Sequence, residues 1–203
     1  AEENSSLSSR TATVTVTGNG LSPQTVTITQ AGAAAYLNLS TTTVSVAAAS
    51  GSTGTFNIAS NTSWTISDNQ TWLTLSVANG SNDGTITITV TGNSSTSPRS
   101  ATVTISGSGV SDQTVTVTQA GSAAYLNLST ATVSVAYTAG ATGTFSITSN
   151  TTWTITDNQT WLTLSTAAGS NDATITVTAT ANSSASTRSA TVTVSGKLQI
   201  LPG

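Results

Sequence analysis

The chain has no cysteine, no histidine and no methionine. Disulfides, thiolate metal sites and nucleophilic chemistry built on Cys or His are therefore excluded. Charge is nearly as scarce. Charged residues make up 5% of the 203 positions, against roughly 25% in ordinary soluble domains. The four positive charges are Arg10, Arg99, Arg188 and Lys197, too few and too scattered to form a basic patch. Nucleic acid is thus not an expected partner, because binding there rests on Lys and Arg meeting phosphates. A net charge of −3 is too small to select any other partner. No apolar run is long enough to cross a bilayer as a helix, and no basic-then-apolar leader opens the sequence, so membrane insertion is not expected. The carboxylates Asp68, Asp83, Asp112, Asp157 and Asp172 stand singly in expected turns, where short side chains hold backbone N–H groups. A pairing of Asp68 with Asp83 through folding stays open. With no dense acidic loop for calcium and a single lysine, neither catalysis nor a cofactor is expected.

What the chain has is repetition. Tyr36, Trp64, Trp72, Asp83 and Arg99 recur 89 positions later as Tyr125, Trp153, Trp161, Asp172 and Arg188, without insertion or deletion. Residues 10–32 match residues 99–121 at the same offset. Such a period indicates domain-sized units rather than one large domain. The expected organisation is an N-terminal strand segment over 1–32, equivalent to the end of a repeat, a complete repeat over 33–121, and a repeat over 122–203 that lacks its last strand. The third copy follows the pattern to Gly196 and then departs where a closing TVTVTQ segment would stand.

Apolar residues alternate with Thr and Ser in Ala12–Val16, Val26–Ile28, Val44–Val46, Phe56–Ile58, Trp64–Ile66, Leu73–Leu75, Ile86–Val90, Ala101–Ile105 and Val115–Val117. A period of two buries one strand face and leaves the other wet. Threonine suits the wet face, being β-branched and polar at once. Clusters of Gly, Asn, Ser and Asp at 50–54, 79–84, 92–97 and 107–112 read as turns. The expected fold class is all-β: two tandem antiparallel immunoglobulin-like sandwiches preceded by a spare strand pair.

The succession SNTSWTISDNQTWLTLS, GTITITV, NSSTSPRSATVTI and QTVTVTQAG resembles the BACON domain. The marks are Trp64, Trp72-Leu73, Arg99 and Thr118–Gly121, with Trp153, Trp161-Leu162 and Arg188 in the next copy. The resemblance spans 33–121 in full, 122–196 without a last strand, and 10–32 as a repeat end only. It implies a β-sandwich outside the cytoplasm, secreted or at the cell surface, with a proposed link to carbohydrate or mucin.

The aromatic residues bear on a glycan role. Trp64 and Trp153 share parity with Ile66 and Ile155, which assigns them to the core. Trp72 and Trp161 are out of step with the leucines that follow, so they either cap the sandwich end or face solvent. Together with Tyr137, which replaces Ala48 of the preceding copy, they are the candidate carbohydrate contacts.

The phase of the repeat suggests a second role. A sandwich without its closing strand exposes an open ladder and an apolar strip. Its loss amounts to two or three branched side chains at roughly 1.5–3 kcal/mol each. The N-terminal strands carry that apolar face without a domain of their own. The connection Gly32–Ala35 reaches only about 14 Å, whereas such a domain is roughly 30 Å across. Exchange between molecules is therefore expected, with identical subunits joined head to tail into an extracellular filament or surface fibre. The expected interface comprises Thr25, Val26, Thr27, Ile28, Thr29 and Gln30 on the donated strand, meeting Val192, Val194, Leu198 and Ile200. Two other readings stand beside it: a segment of a longer repeat array, and a tandem module that binds carbohydrate or mucin.

Overall fold

A computed structural model describes residues 1–197; Leu198 and Ile200 lie outside the described residues. The alternating segments become strands, and no helix forms among the described residues. The chain divides into two compact units, one of residues 1–92 and 99–119, the other of residues 93–98 and 120 onward.

In the first unit, β1 (Arg10–Val16) and β2 (Gln24–Gln30) form an antiparallel hairpin that is a sheet of its own. Nine strands follow: β3 (Leu37–Leu39), β4 (Thr43–Val46), β5 (Thr53–Ser60), β6 (Ser63–Asp68), β7 (Leu73–Leu75), β8 (Asn79–Ser81), β9 (Gly84–Val90), β10 (Arg99–Gly107) and β11 (Gln113–Gln119). They make two sheets, ordered β3-β5-β9-β7 and β4-β11-β10-β6-β8. Side chains of alternate parity meet between them. Phe56, Ile58, Ile86, Ile88, Val103, Ile105, Val115 and Val117 are almost wholly removed from water. At roughly 1.5–3 kcal/mol per side chain, that face supplies most of the driving force for this fold.

Two details differ from the sequence expectation. Residues 79–81, read as part of a turn, form β8 and pair with Ser63–Thr65. The segment has no apolar residue, and the Trp64 indole lies over its central glycine. A Cβ on Gly80 would stand 2.4 Å from Trp64 Cζ2, so only glycine fits there. The sandwich is also not wholly antiparallel, since β4 runs parallel to β11. The chain passes from one sheet at β3 to the other at β4 and so meets the closing strand in the same direction.

The second unit holds β12 (Leu126–Leu128), β13 (Ala141–Ser149), β14 (Thr152–Asp157), β15 (Leu162–Leu164), β16 (Ala168–Ser170), β17 (Ala173–Ala179) and β18 (Val192–Lys197). One sheet, β12-β13-β17-β15, reproduces its counterpart in the first unit. The other has three strands among the described residues, β16-β14-β18, where the first unit has five. Two losses go together. Among the described residues no strand takes the place of β11, and residues 132–135, equivalent to β4, form no ladder. In the first unit β4 has only β11 as a hydrogen-bonding neighbour in its sheet, and no equivalent of β11 stands beside residues 132–135 among the described residues. β18 is shorter as well, starting at Val192 rather than at Arg188, the equivalent of the first residue of β10. The part of β10 equivalent to 188–191 pairs with β11 alone.

Each unit is pinned by its tryptophan. Trp64 Nε1 donates to Asn82 O at 2.8 Å and Trp153 Nε1 to Asn171 O at 2.8 Å. Both asparagines adopt a left-handed backbone, with φ of 60° and 58°, a conformation Asn tolerates better than most side chains. Asp83 and Asp172 do more than hold their own turns. Their Oδ1 atoms accept from Ser60 N and Ser149 N at the end of the neighbouring strand in the same sheet, each at 2.9 Å.

Candidate functional site

A corner built around one arginine occurs three times. Residues 4–10, 93–99 and 182–188 share the pattern Asn-Ser-Ser-x-Ser-x-Arg. Asn4 Nδ2 donates to Ser8 O (2.9 Å) and Ala31 O (3.0 Å); Asn93 Nδ2 donates to Ser97 O (2.9 Å) and Ala120 O (3.1 Å). Asn182 Nδ2 donates to Ser186 O at 2.9 Å. This recurrence extends the N-terminal match from Arg10 back to Asn4, a signal that reading from the arginine alone misses.

In the complete first unit the corner closes over a buried amide. Gln119 is fully buried at the end of β11. Arg99 Nε donates to its Oε1 at 2.7 Å, while its Nε2 donates to Thr91 O (2.8 Å), Ala48 O (3.2 Å) and Ala47 O (3.3 Å). The Arg99 guanidinium lies 4.6 Å from the Trp72 ring centroid, a cation–π contact. Trp72 is buried as well. This removes Trp72 from the candidate glycan contacts as the chain is folded: it caps the sandwich end, and the arginine occupies its ring face.

The second unit has the same corner around an open groove. Arg188 stacks on Trp161 at 4.2 Å and donates to Thr180 O and Thr180 Oγ1. A groove of about 480 Å³ runs from there, lined among others by Val133, Val135, Phe145, Trp161, Val192 and Val194. It lies where β11 closes the first unit. Val44 and Val46 are core residues of that unit, whereas their equivalents Val133 and Val135 are only partly covered or exposed. Trp161 is half-buried. Tyr137 is 75% exposed and stands beside a shallow depression that it shares with Ala139, Ala181, Asn182, Ser183 and Ser184.

The hairpin presents the converse surface. Its register, from Arg10↔Gln30 through Val14↔Val26 to Val16↔Gln24, repeats that of β10 with β11, from Arg99↔Gln119 through Val103↔Val115 to Ile105↔Gln113. Arg10 Nε donates to Gln30 Oε1 at 2.8 Å, the counterpart of the Arg99–Gln119 bond. The burial is opposite. Val14, Val16, Val26 and Ile28 are 47%, 62%, 58% and 55% exposed, while Val103, Ile105, Val115 and Val117 are at 0%. Four branched side chains on one face of the hairpin, two from each strand, form an exposed apolar strip of the kind that marks an interaction surface. Thr25, Thr27 and Thr29 occupy the opposite face.

Among the described residues no group of three or more carboxylates is placed to hold a metal ion. Asp68 and Asp157 accept from the backbone N–H groups of Gln70 and Gln159, each at 3.0 Å, as turn residues do.

Comparison with known proteins adds a family. Solved structures with partial likeness include a Bacteroides ovatus GH5 xyloglucanase in complex with a XXXG heptasaccharide, at 30% identity and a TM-score of 0.41, covering 43% of this chain and 19% of that one. Domains 1–6 of the surface layer protein SbsC align at 17% identity and a TM-score of 0.41, covering 95% of this chain and 28% of that one. The chain thus spans less than a third of either structure. No curated protein matches. The family model described as "BACON: Putative binding domain, N-terminal" matches residues 1–31, 62–120 and 151–200. Those segments cover the hairpin, the arginine corners and the tryptophan strands of both units, and the chain belongs to the BACON family.

Proposed function

We propose that this protein is a non-enzymatic structural subunit of an extracellular filament or surface fibre, in which β2 of one molecule closes the open sandwich of the next. The observation that carries this reading is the match between two surfaces of the same chain. One is a preformed strand with β11's register and polarity but an exposed apolar face. The other is a groove where a β11 equivalent would lie. In the assembled state β2 runs between β18 and residues 132–135, antiparallel to the first and parallel to the second, as β11 does between β10 and β4. Val26 then lies opposite Val192 and Ile28 opposite Ala190. Because β2 uses both of its edges there, it separates from β1. One ladder is lost, two are formed, and two branched side chains leave water. The contact is heterologous, so it propagates into a fibre rather than closing into a dimer.

Cysteine pairing tests this directly, since the chain has no cysteine of its own. The full chain carrying Val26→Cys and Val192→Cys is expected to give a ladder of disulfide-linked multimers on mild oxidation, and reduction should collapse it. Only monomers of about 20.1 kDa, both native and after oxidation, would sink the proposal.

One observation favours a second reading, a carbohydrate-binding module in keeping with the family's description as a binding domain. Tyr137 presents an open ring beside the Asn182–Ser184 loop, an apolar face next to polar groups. On that reading, titration with a glycan panel gives saturable binding that Tyr137→Ala weakens at least about tenfold. Absence of binding by the unaltered chain removes this alternative.

A further inference from the structure

Alternation alone leaves one ambiguity in such a joint. A slip of one residue turns threonine inward and is rejected, but a slip of two restores the alternation. The core-facing positions of β2 are Gln24, Val26, Ile28 and Gln30, so the apolar pattern alone would also accept Ile28 in the place of Val26. Resting on the strand-exchange reading above, we infer that Gln30 is the residue that sets the register, by entering a polar socket in the acceptor unit formed by Arg188 and the carbonyls of Ala136, Tyr137 and Thr180.

The filled form of this socket is visible in the first unit. Gln119 is wholly buried there and fully bonded, through Arg99 Nε at 2.7 Å and the carbonyls of Thr91, Ala48 and Ala47 at 2.8–3.3 Å. Gln30 is its repeat equivalent, and Arg188, Thr180, Tyr137 and Ala136 are those of its four partners. Arg188 is already oriented for the role, stacked on Trp161 and donating to Thr180 through its other guanidinium nitrogen. In the hairpin Gln30 makes a smaller version of the same set, accepting from Arg10 Nε at 2.8 Å and donating to Glu2 O at 2.9 Å. That hairpin set is more exposed than the Gln119 network, so the glutamine is prearranged and the exchange transfers it to a drier network, where each bond is stronger. In the correct register Gln30 lies opposite Arg188, as Gln119 lies opposite Arg99. Shifted by two, with Ile28 opposite Val192, Gln30 would occupy the core position of Val117. An amide buried there without partners is strongly unfavourable. A single buried polar group can in this way choose among registers that an apolar pattern leaves equivalent.

Two cysteine pairs in the full chain read the register. Val26→Cys with Val192→Cys reports the correct one, and Ile28→Cys with Val192→Cys reports the slip. With Gln30 present, the first pair is expected to cross-link between molecules and the second not. Adding Gln30→Leu should let the second pair cross-link too. Without cysteines, Gln30→Leu should raise the concentration at which polymers dissociate at least about tenfold, the loss of hydrogen bonds to a charged group. Arg188→Leu on the acceptor side should do the same without touching the hairpin. The double variant should be scarcely weaker than either single one. The inference is overturned if Gln30→Leu leaves only the first cross-link and an unchanged dissociation point, or if the two substitutions act additively; strand exchange itself would survive that result. A parent chain that stays monomeric and gives neither cross-link overturns both.

Discussion

Removing residues 1–31 is expected to abolish polymerisation and leave a monomer whose second unit unfolds before its first. The physical reason is the unequal closure of the two sandwiches. In the first unit, β11 buries Val115 and Val117 completely and gives β4 its ladder partner. Two such side chains contribute roughly 3–6 kcal/mol, within reach of the roughly 5–15 kcal/mol that holds a whole domain folded. The second unit has neither the strand nor the ladder among its described residues, so its stability is expected to depend on what fills the groove. A peptide of residues 24–30 added to the truncated chain should therefore raise the lower of two melting transitions and leave the higher one in place. Analytical ultracentrifugation, with calorimetry at several peptide concentrations, measures both effects. Polymers formed by the truncated chain at the parent's concentration would refute the role given to β2.

The second large effect lies in the cores. Trp64→Ala and Trp153→Ala are each expected to cost about 3–5 kcal/mol, the usual range for truncating a buried aromatic residue. Each indole fills the space above a glycine, Gly80 or Gly169, that cannot carry a side chain. Each also supplies the N–H that holds a left-handed asparagine. Truncation therefore leaves a void and an orphaned carbonyl together. Trp153→Ala should be the more damaging, because its cluster is smaller and more of its neighbours are only partly covered. Denaturant unfolding followed by far-ultraviolet dichroism gives the numbers. A loss below about 1 kcal/mol at Trp153 would show that this residue does not hold the second core together.

Much of this was legible in the sequence because the relevant signals are local. Alternation places Val, Ile and Phe on one face of each strand whatever the tertiary context, and the strands found include every segment with that pattern except Val133–Val135. Trp64 and Trp153 could be assigned to the core by parity with the isoleucines two residues on. Other features carry no such signal. Trp72 and Trp161 break parity, and their surroundings depend on an arginine 27 positions away in each case (Trp72 to Arg99, Trp161 to Arg188). The strand Asn79–Ser81 has no apolar residue and exists through its pairing with Trp64 and its neighbours. Gln119 shares the parity of Val115 and Val117, but that parity alone does not tell a buried, bonded amide from one at a strand end facing water.

By itself the sequence determined the class of fold, the period of 89, the absence of the residues used for thiolate or imidazole chemistry, and the match of residues 10–32 to 99–121. These follow from side-chain identity and spacing along the chain. Tertiary structure decided the rest: that Trp72 is capped rather than open, that β4 runs parallel to the closing strand while its equivalent, residues 132–135, forms no ladder among the described residues, and that a glutamine lies at the centre of the arginine corner. Each depends on which distant residues meet, and burial, ladder pairing and the strength of a buried hydrogen bond are set by those meetings rather than by any one segment.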